Sequence, residues 1–323
     1  QHRYPEHQPE KAGTPNTFLM EAIKYLTNGQ VDKQKWDACI DQASNGLIYA
    51  YAAYLNNMAK NWDALVLGDY EAVMPLTWNK KYGIHYLYQP PFTACLGIFG
   101  QQLNAAVVND FLQAIPAKFK YWDIYLNHGN FFKLAGFDLY ERMNYVLPLN
   151  LSYESLQDNY KDNIKRNIKR SEKSGLTVNK NIALAEVILL VREQARDFAS
   201  LAPEDFEHFK KLYQFLYKKE KATTYGVYTN EGQLIAAAVF FFSHNRAYYI
   251  MAGNHPNGKT LGASHALINA FIKDHAGQSL LLDFEGSDIS SLARFYSSFG
   301  AREEKYSAIR LNRLPAPFRW FKK

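Results

Sequence analysis

The sequence predicts a mixed α/β fold: two similar units in tandem, each a mostly antiparallel sheet flanked by helices. Three observations predict it. The chain has 323 residues, long for one hydrophobic core and ample for two. Each half runs from helices into an antiparallel meander and then alternates strand and helix, the order of a mixed sheet with helices packed on it. Glycine landmarks also recur at a near-constant spacing. Gly68 and Gly232 are 164 apart, as are Gly136 and Gly300, and Gly97 and Gly262 are 165 apart. Leu147 and Leu311, each ending a final strand-like segment, share the 164 spacing. Chance punctuation rarely keeps such a register across insertions. The expected units are residues 1–150 and 151–323.

In the first half, residues 31–40 and 47–59 read as helices. Residues 64–67 and 71–78 flank the Gly68-Asp69 turn as a hairpin, and 84–88 continues the sheet. Apolar spacing predicts a helix over 103–119, then strands over 122–126 and 142–149. In the second half, helices are expected over 153–174, 182–199 and 203–221. Strands over 225–228 and 234–243 flank Asn230-Glu231-Gly232, and 247–252 follows. A helix over 263–275, a strand over 280–285, a helix over 290–299 and a strand over 305–311 complete the unit.

Composition narrows the function classes. Apolar residues make up 47%, which excludes a disordered chain. The two cysteines, Cys39 and Cys95, are far apart, so neither a disulfide framework nor a cysteine zinc site is expected. No apolar run is long enough for a membrane span. The segment 1–16 is polar with three prolines and lacks the core of a signal peptide, so a cytoplasmic location is expected. Charge is uneven. Residues 1–150 carry 12 Lys and Arg against 13 Asp and Glu, and residues 151–323 carry 25 against 18. The second half is the candidate for anionic ligands.

The helix at 153–174 has Leu156, Tyr160, Ile164 and Ile168 at every fourth position, a buried stripe. Lys161, Lys165, Arg166, Lys169, Arg170 and Lys173 crowd its other faces, and Arg166 and Arg170 lie one turn apart, spaced to grip a phosphate. Neither a catalytic Ser-His-Asp pattern, a phosphate-binding P-loop nor a metal-binding pattern is present. His255 and His265 lie near the helix start at 263, within reach of a phosphate.

With these elements in place, the sequence resembles the GNAT acyltransferase fold, and its two tandem units resemble the FemAB-type aminoacyltransferases and related acetyltransferase-like proteins. The resemblance spans about residues 18–314. The run Arg294-Phe295-Tyr296-Ser297-Ser298-Phe299-Gly300-Ala301 is similar to the family helix whose tyrosine protonates the coenzyme A thiolate, although Ala301 stands where an aromatic is usual. A phenol suits that task. Lys259-Thr260-Leu261-Gly262-Ala263-Ser264 looks like a degenerate form of the pyrophosphate loop. Gly258, Lys259, Gly262, Ala263 and Ser264 are then the expected coenzyme A contacts, at a helix N-terminus suited to phosphate. The run Asn163 to Gly175 is similar to a basic helix of FemAB-like proteins. Leu282-Asp283-Phe284-Glu285-Gly286-Ser287-Asp288 looks like the end of the central strand where the acyl donor inserts. There Glu285 would be the general base, on the same face as Asp283 by strand alternation, and Asp288 the N-cap of the next helix.

The halves differ at these positions. Phe132 stands 164 before Tyr296, and His128 precedes Gly129 as Glu285 precedes Gly286. The second unit is therefore expected to be active and the first non-catalytic. The resemblance implies an acetyl-CoA or other acyl-CoA donor, no metal, and a small-molecule or peptide amine acceptor. A second possibility is aminoacyl transfer from tRNA to a peptidoglycan-precursor peptide, and a third is a non-catalytic tandem binding module.

Overall fold

A computed structural model describes residues 22–134, 136–195, 201–286 and 288–315. The N-terminal segment discussed above and the tail beyond 315 lie outside the described residues. The elements of the first half are β1 (Ile23–Leu26), α1 (Lys33–Gln42), α2 (Ala52–Met58), β2 (Asn61–Leu67), β3 (Ala72–Lys81), β4 (Ile84–Tyr88), β5 (Phe99–Gly100), α3 (Ala105–Gln113), β6 (Phe119–Tyr125) and β7 (Leu139–Pro148). The second half holds α4 (Tyr153–Asp158), α5 (Asp162–Lys173), β8 (Thr177–Lys180), α6 (Leu184–Ala195), α7 (Pro203–Tyr217), β9 (Ala222–Tyr228), β10 (Leu234–Ser243) and β11 (Arg246–Asn254). It ends with α8 (Pro256–Leu261), α9 (Ala263–His275), β12 (Leu281–Asp283), α10 (Ser290–Ser297) and β13 (Arg302–Asn312).

The predicted class and element order hold. All six landmark glycines adopt positive φ, from +56° at Gly68 to +92° at Gly97. Each landmark is therefore a backbone conformation that L-residues avoid. The stripe Leu156, Tyr160, Ile164 and Ile168 is buried as predicted, but its helix is broken. The Lys161 amide donates to the Ser298 carbonyl at 2.9 Å, pinning the break between α4 and α5 to the end of α10. The helix predicted over 103–119 is shorter, because Phe119 already opens β6. Strands β1 and β8 were unforeseen: both are four-residue edge strands without strict alternation. Residues 196–199 of the helix predicted over 182–199 lie outside the described residues.

The sheet order is β1-β2-β3-β4-β6-β13-β7-β12-β11-β10-β9-β8, with β5 on β3. The two final strands are exchanged. β7, from the first half, pairs antiparallel with β12 and β13, both from the second. β13 pairs with β6 and β7, both from the first. Arg142 opposes Tyr306 at the centre of the β7–β13 ladder, and these two are 164 apart, so the ladder is centred on the repeat's own offset. One apolar core also joins the halves. Trp36, Tyr49 and Tyr54 of the first half pack with Phe209, Phe241 and Tyr248 of the second, and the Phe92 and Phe209 rings lie 4.8 Å apart. A separate core lies under α5, α9 and α10.

Candidate active site

The sheet opens between β11 and β12. These strands are parallel and pair over Arg246–Tyr248 and Leu281–Asp283. β11 then runs on to Asn254 while β12 stops. Beyond Tyr248, that edge of β11 has no strand partner among the described residues. A bulge at Ile250, between the Tyr249–Phe240 and Met251–Val239 pairs, turns the strand further.

The predicted phosphate contacts gather beside this gap. Gly262, at φ +78°, ends α8 and caps α9, and a Cβ there would lie 2.6 Å from the Asn167 carbonyl oxygen of α5. Its missing side chain thus lets two helices meet. Gly258 is part of α8 rather than of a loop, and a Cβ there would lie 2.4 Å from the Ile235 carbonyl oxygen. Ala263 is buried at the start of α9. The Ser264 hydroxyl donates to Asn254, tying that first turn to the end of β11. Lys259 is exposed. Arg170 donates to the Thr260 carbonyl at 3.1 Å, which brings α5 to the same place. Arg166 is exposed one turn away. His255 caps α8, accepting from the Asn257 amide at 3.2 Å. His265 is packed edge-on against Phe295 at 5.0 Å, and burial, with nearby Arg170, lowers its pKa to about 4.

Tyr296 comes from α10 and is buried, its ring stacked on Phe284 at 4.5 Å. Burial, then the neighbouring Glu285, pushes its phenol above the ordinary range. The counterpart Phe132 packs in the first half's core but lies outside any helix.

Glu285 departs from the sequence reading. It follows the end of β12 and has φ +60°, so strand alternation does not set its direction. Gly286, at φ +77°, follows, and a Cβ there would lie 2.6 Å from the Met143 carbonyl oxygen. The Glu285 amide donates to Asp283 at 2.8 Å, and the carboxyl accepts from the Tyr49 hydroxyl of the first half. Burial, with Asp283 adding to it and Tyr49 opposing, raises its pKa well above the carboxylate range. The ladders also reassign its counterpart. Asp283 opposes Val146, and Asp123 opposes Arg310, which is 164 beyond Val146. Asp123 thus matches Asp283, and Tyr125 rather than His128 stands in the place of Glu285. Asp288 does not cap α10 either. It pairs with Arg142 at 2.7 Å, and Ile289 occupies the cap position.

Sequence reasoning missed a polar group between the halves. Arg246 donates to Asp283 at 2.6 Å and to both oxygens of Glu304 at 2.8 and 2.9 Å. Asn144 donates to Asp283 and Glu304 at 2.9 and 3.2 Å. Burial pushes the Glu304 carboxyl up, but Arg246, His128 and Asn144 together outweigh it and the net shift is downward. The sequence signal was faint: Arg246, Asp283 and Glu304 are charged residues at the boundary of, or within, apolar strands. Among the described residues there is no cluster suited to a metal ion.

Residues 158–288 match the family model described as Acetyltransferase (GNAT) domain. No curated protein matches the chain in sequence. The fold is similar to that of FemX, with TM-score 0.64 and 14% identity over 93% of this chain and 99% of that one. It is also similar to a conserved protein of unknown function from Bacteroides thetaiotaomicron, with TM-score 0.57 and 12% identity over 87% and 98% of the two chains. L-PGS from Bacillus licheniformis aligns with TM-score 0.55 and 12% identity over 88% and 93%. The domain match takes in the opened strands, the start of α9 and Glu285, and the fold shared with FemX extends over nearly the whole chain.

Proposed function

We propose that the chain is an N-acyltransferase that moves an acyl group from an acyl thioester of coenzyme A to a primary amine. The observation that carries this reading is the parting of β11 and β12 beside both the start of α9 and buried Tyr296. The first turn of α9 offers amide groups and the positive end of its dipole to a pyrophosphate. Gly258, Gly262, Ala263 and Ser264 shape that turn, and Lys259, Arg166 and Arg170 add cations around it. The unpaired edge of β11 offers a backbone amide to the thioester oxygen. The amine nitrogen attacks the carbonyl carbon, the C–N bond forms and the C–S bond breaks. The thiolate takes the Tyr296 proton, and the proton lost by the amine goes to solvent or a neighbouring base, from which the phenol is restored. Glu285, its carboxyl held by the Tyr49 hydroxyl, orients the gap in this reading, in place of the base role that the resemblance implies.

A second reading is aminoacyl transfer from tRNA to a peptidoglycan-precursor peptide. It is favoured by the exposed cations of α5: among the described residues none of Lys161, Lys165, Arg166, Lys169, Arg170 and Lys173 pairs with a carboxylate. No described helix is long and apolar enough to cross a membrane, and a cytoplasmic site of action fits either donor. Calorimetry with coenzyme A, acetyl-CoA and tRNA at low and high salt tests the choice. Coenzyme A binding at micromolar concentration is expected. Tight tRNA binding that weakens steeply with salt, without coenzyme A binding, establishes the second reading. Binding of neither leaves a non-catalytic module.

A further inference from the structure

Behind the gap, on the face of the sheet away from α9, lies a small cavity between the halves. Its walls include Tyr49 and His128 from the first half and Arg246, Asp283, Glu285 and Glu304 from the second. Its volume is about 10 Å³, room for a single water-sized group. The charges around it do not cancel. Asp283 and Glu304 face one guanidinium, Arg246, whose hydrogen bonds already reach both. His128 lies 3.9 Å from Glu304 and is held neutral, its pKa lowered chiefly by burial. At least one negative charge is left over in a nearly closed space, where a small cation is stabilised far more than in water.

The residues around it differ in their distance from the surface. His128 and Glu304 keep 29% and 19% of their side chains exposed, whereas Arg246 and Asp283 keep 9% and 5%. Glu285 lines the cavity, and it is also the charged neighbour felt by Tyr296 on the other face of the sheet. The cavity therefore borders the end of β12, where the sheet parts.

We propose that this cavity seats the ammonium head of the acceptor, with Glu304 as its anchor and His128 beside it. The class of acceptor is then an unhindered primary amine on a narrow chain, since a water-sized space admits –NH3⁺ and excludes quaternary or branched heads. The neutral His128 ring takes one proton from the seated ammonium: an N–H bond breaks on the acceptor, one forms on the imidazole, and rotation about the C–N bond turns the freed lone pair from the ring toward the carbonyl. The inference rests on the acyl-transfer reading for its purpose, and on the cavity itself for its evidence.

The test reads binding, so it needs neither a known acceptor nor turnover. The His128 Cε1–H resonance, assigned by its absence in H128Q, is followed by NMR while methylammonium chloride is added at constant ionic strength. Tetramethylammonium and sodium chloride are the controls. A saturable shift with methylammonium alone is expected, with half-saturation raised at least tenfold in E304Q. No shift, or equal shifts with the three cations, overturns the proposal. The comparison of cations in the unsubstituted protein decides the matter even if E304Q does not fold. Thermal shift with coenzyme A in the same samples separates the two readings. Methylammonium binding without coenzyme A binding removes the proposed donor and keeps the amine seat, and the reverse result removes only the seat.

Discussion

Replacing Arg246 by methionine removes the single cation from between two carboxylates. Three charge-assisted hydrogen bonds disappear, at 2.6, 2.8 and 2.9 Å. At about 1.5–3 kcal/mol for a hydrogen bond to a charged group, their simple sum exceeds what the variant loses, because water reaches Glu304 and Asn144 still donates to both acids. Breaking a buried pair by deleting one partner costs about 3–5 kcal/mol, and that is the expected loss at pH 7. The assay is urea unfolding followed by tryptophan fluorescence. The sign of the pH dependence follows from Glu304, whose folded pKa is depressed. Its contribution is present above the unfolded value of about 4.3 and is lost as pH falls through the folded value. The gap between parent and R246M therefore narrows in acid. The triple variant R246M/D283N/E304Q, with no charge left in the group, recovers most of the loss. A deficit under about 1 kcal/mol at pH 7 (small beside the ~3 kcal/mol floor for a broken buried pair), or one that is the same at pH 4 and pH 8, refutes the electrostatic account.

Three further outcomes follow from the same geometry. Y296F is expected to lower acetyl-CoA consumption about 10²- to 10⁴-fold, the usual worth of a positioned proton donor, with the coenzyme A thermal shift unchanged; equal turnover removes Tyr296 from the chemistry. Glu285 has a raised folded pKa, so its contribution to stability is complete below the unfolded value and declines as pH rises through the folded one. Melting curves of E285Q should lack that decline with rising pH, and parallel profiles for the two proteins argue against a raised pKa at Glu285. G262A places a Cβ 2.6 Å from a carbonyl oxygen in a left-handed residue. It should cost about 1–2 kcal/mol in backbone strain plus the displacement of α5, and weaken coenzyme A binding with it; an unchanged melting temperature contradicts that packing.

Local patterning revealed the fold well. The stripe of Leu156, Tyr160, Ile164 and Ile168 and the turn glycines are short-range signals, and each element they mark is present. The break before α5 was invisible because its cause, the Ser298 carbonyl, is more than a hundred residues away in sequence. The strand exchange was equally hidden. The pattern of β13 states which face is buried, and says nothing about which neighbour it pairs with. The site was half legible. Tyr296 and the start of α9 belong to local motifs, and they lie by the opened strands. Glu285 was found, but its direction was not, because a positive φ at a non-glycine residue overrides alternation. Tyr49, Asn144 and Glu304 had no local signature, and Asn144 and Glu304 meet only because β7 and β13 cross between halves.

The exchanged strands also bear on how the protein is made. The final neighbour of β6 is β13, which begins about 180 residues after β6 ends. At roughly 5–20 residues per second, the ribosome exposes β6 for about 10–35 s before its partner exists. During that interval the edges of β6 and β7 are open templates for any other extended chain. Residues synthesised long after β6 thus close the first half, so a chain shortened before Arg302 would carry its damage not at its broken end but in a portion that emerged well before it.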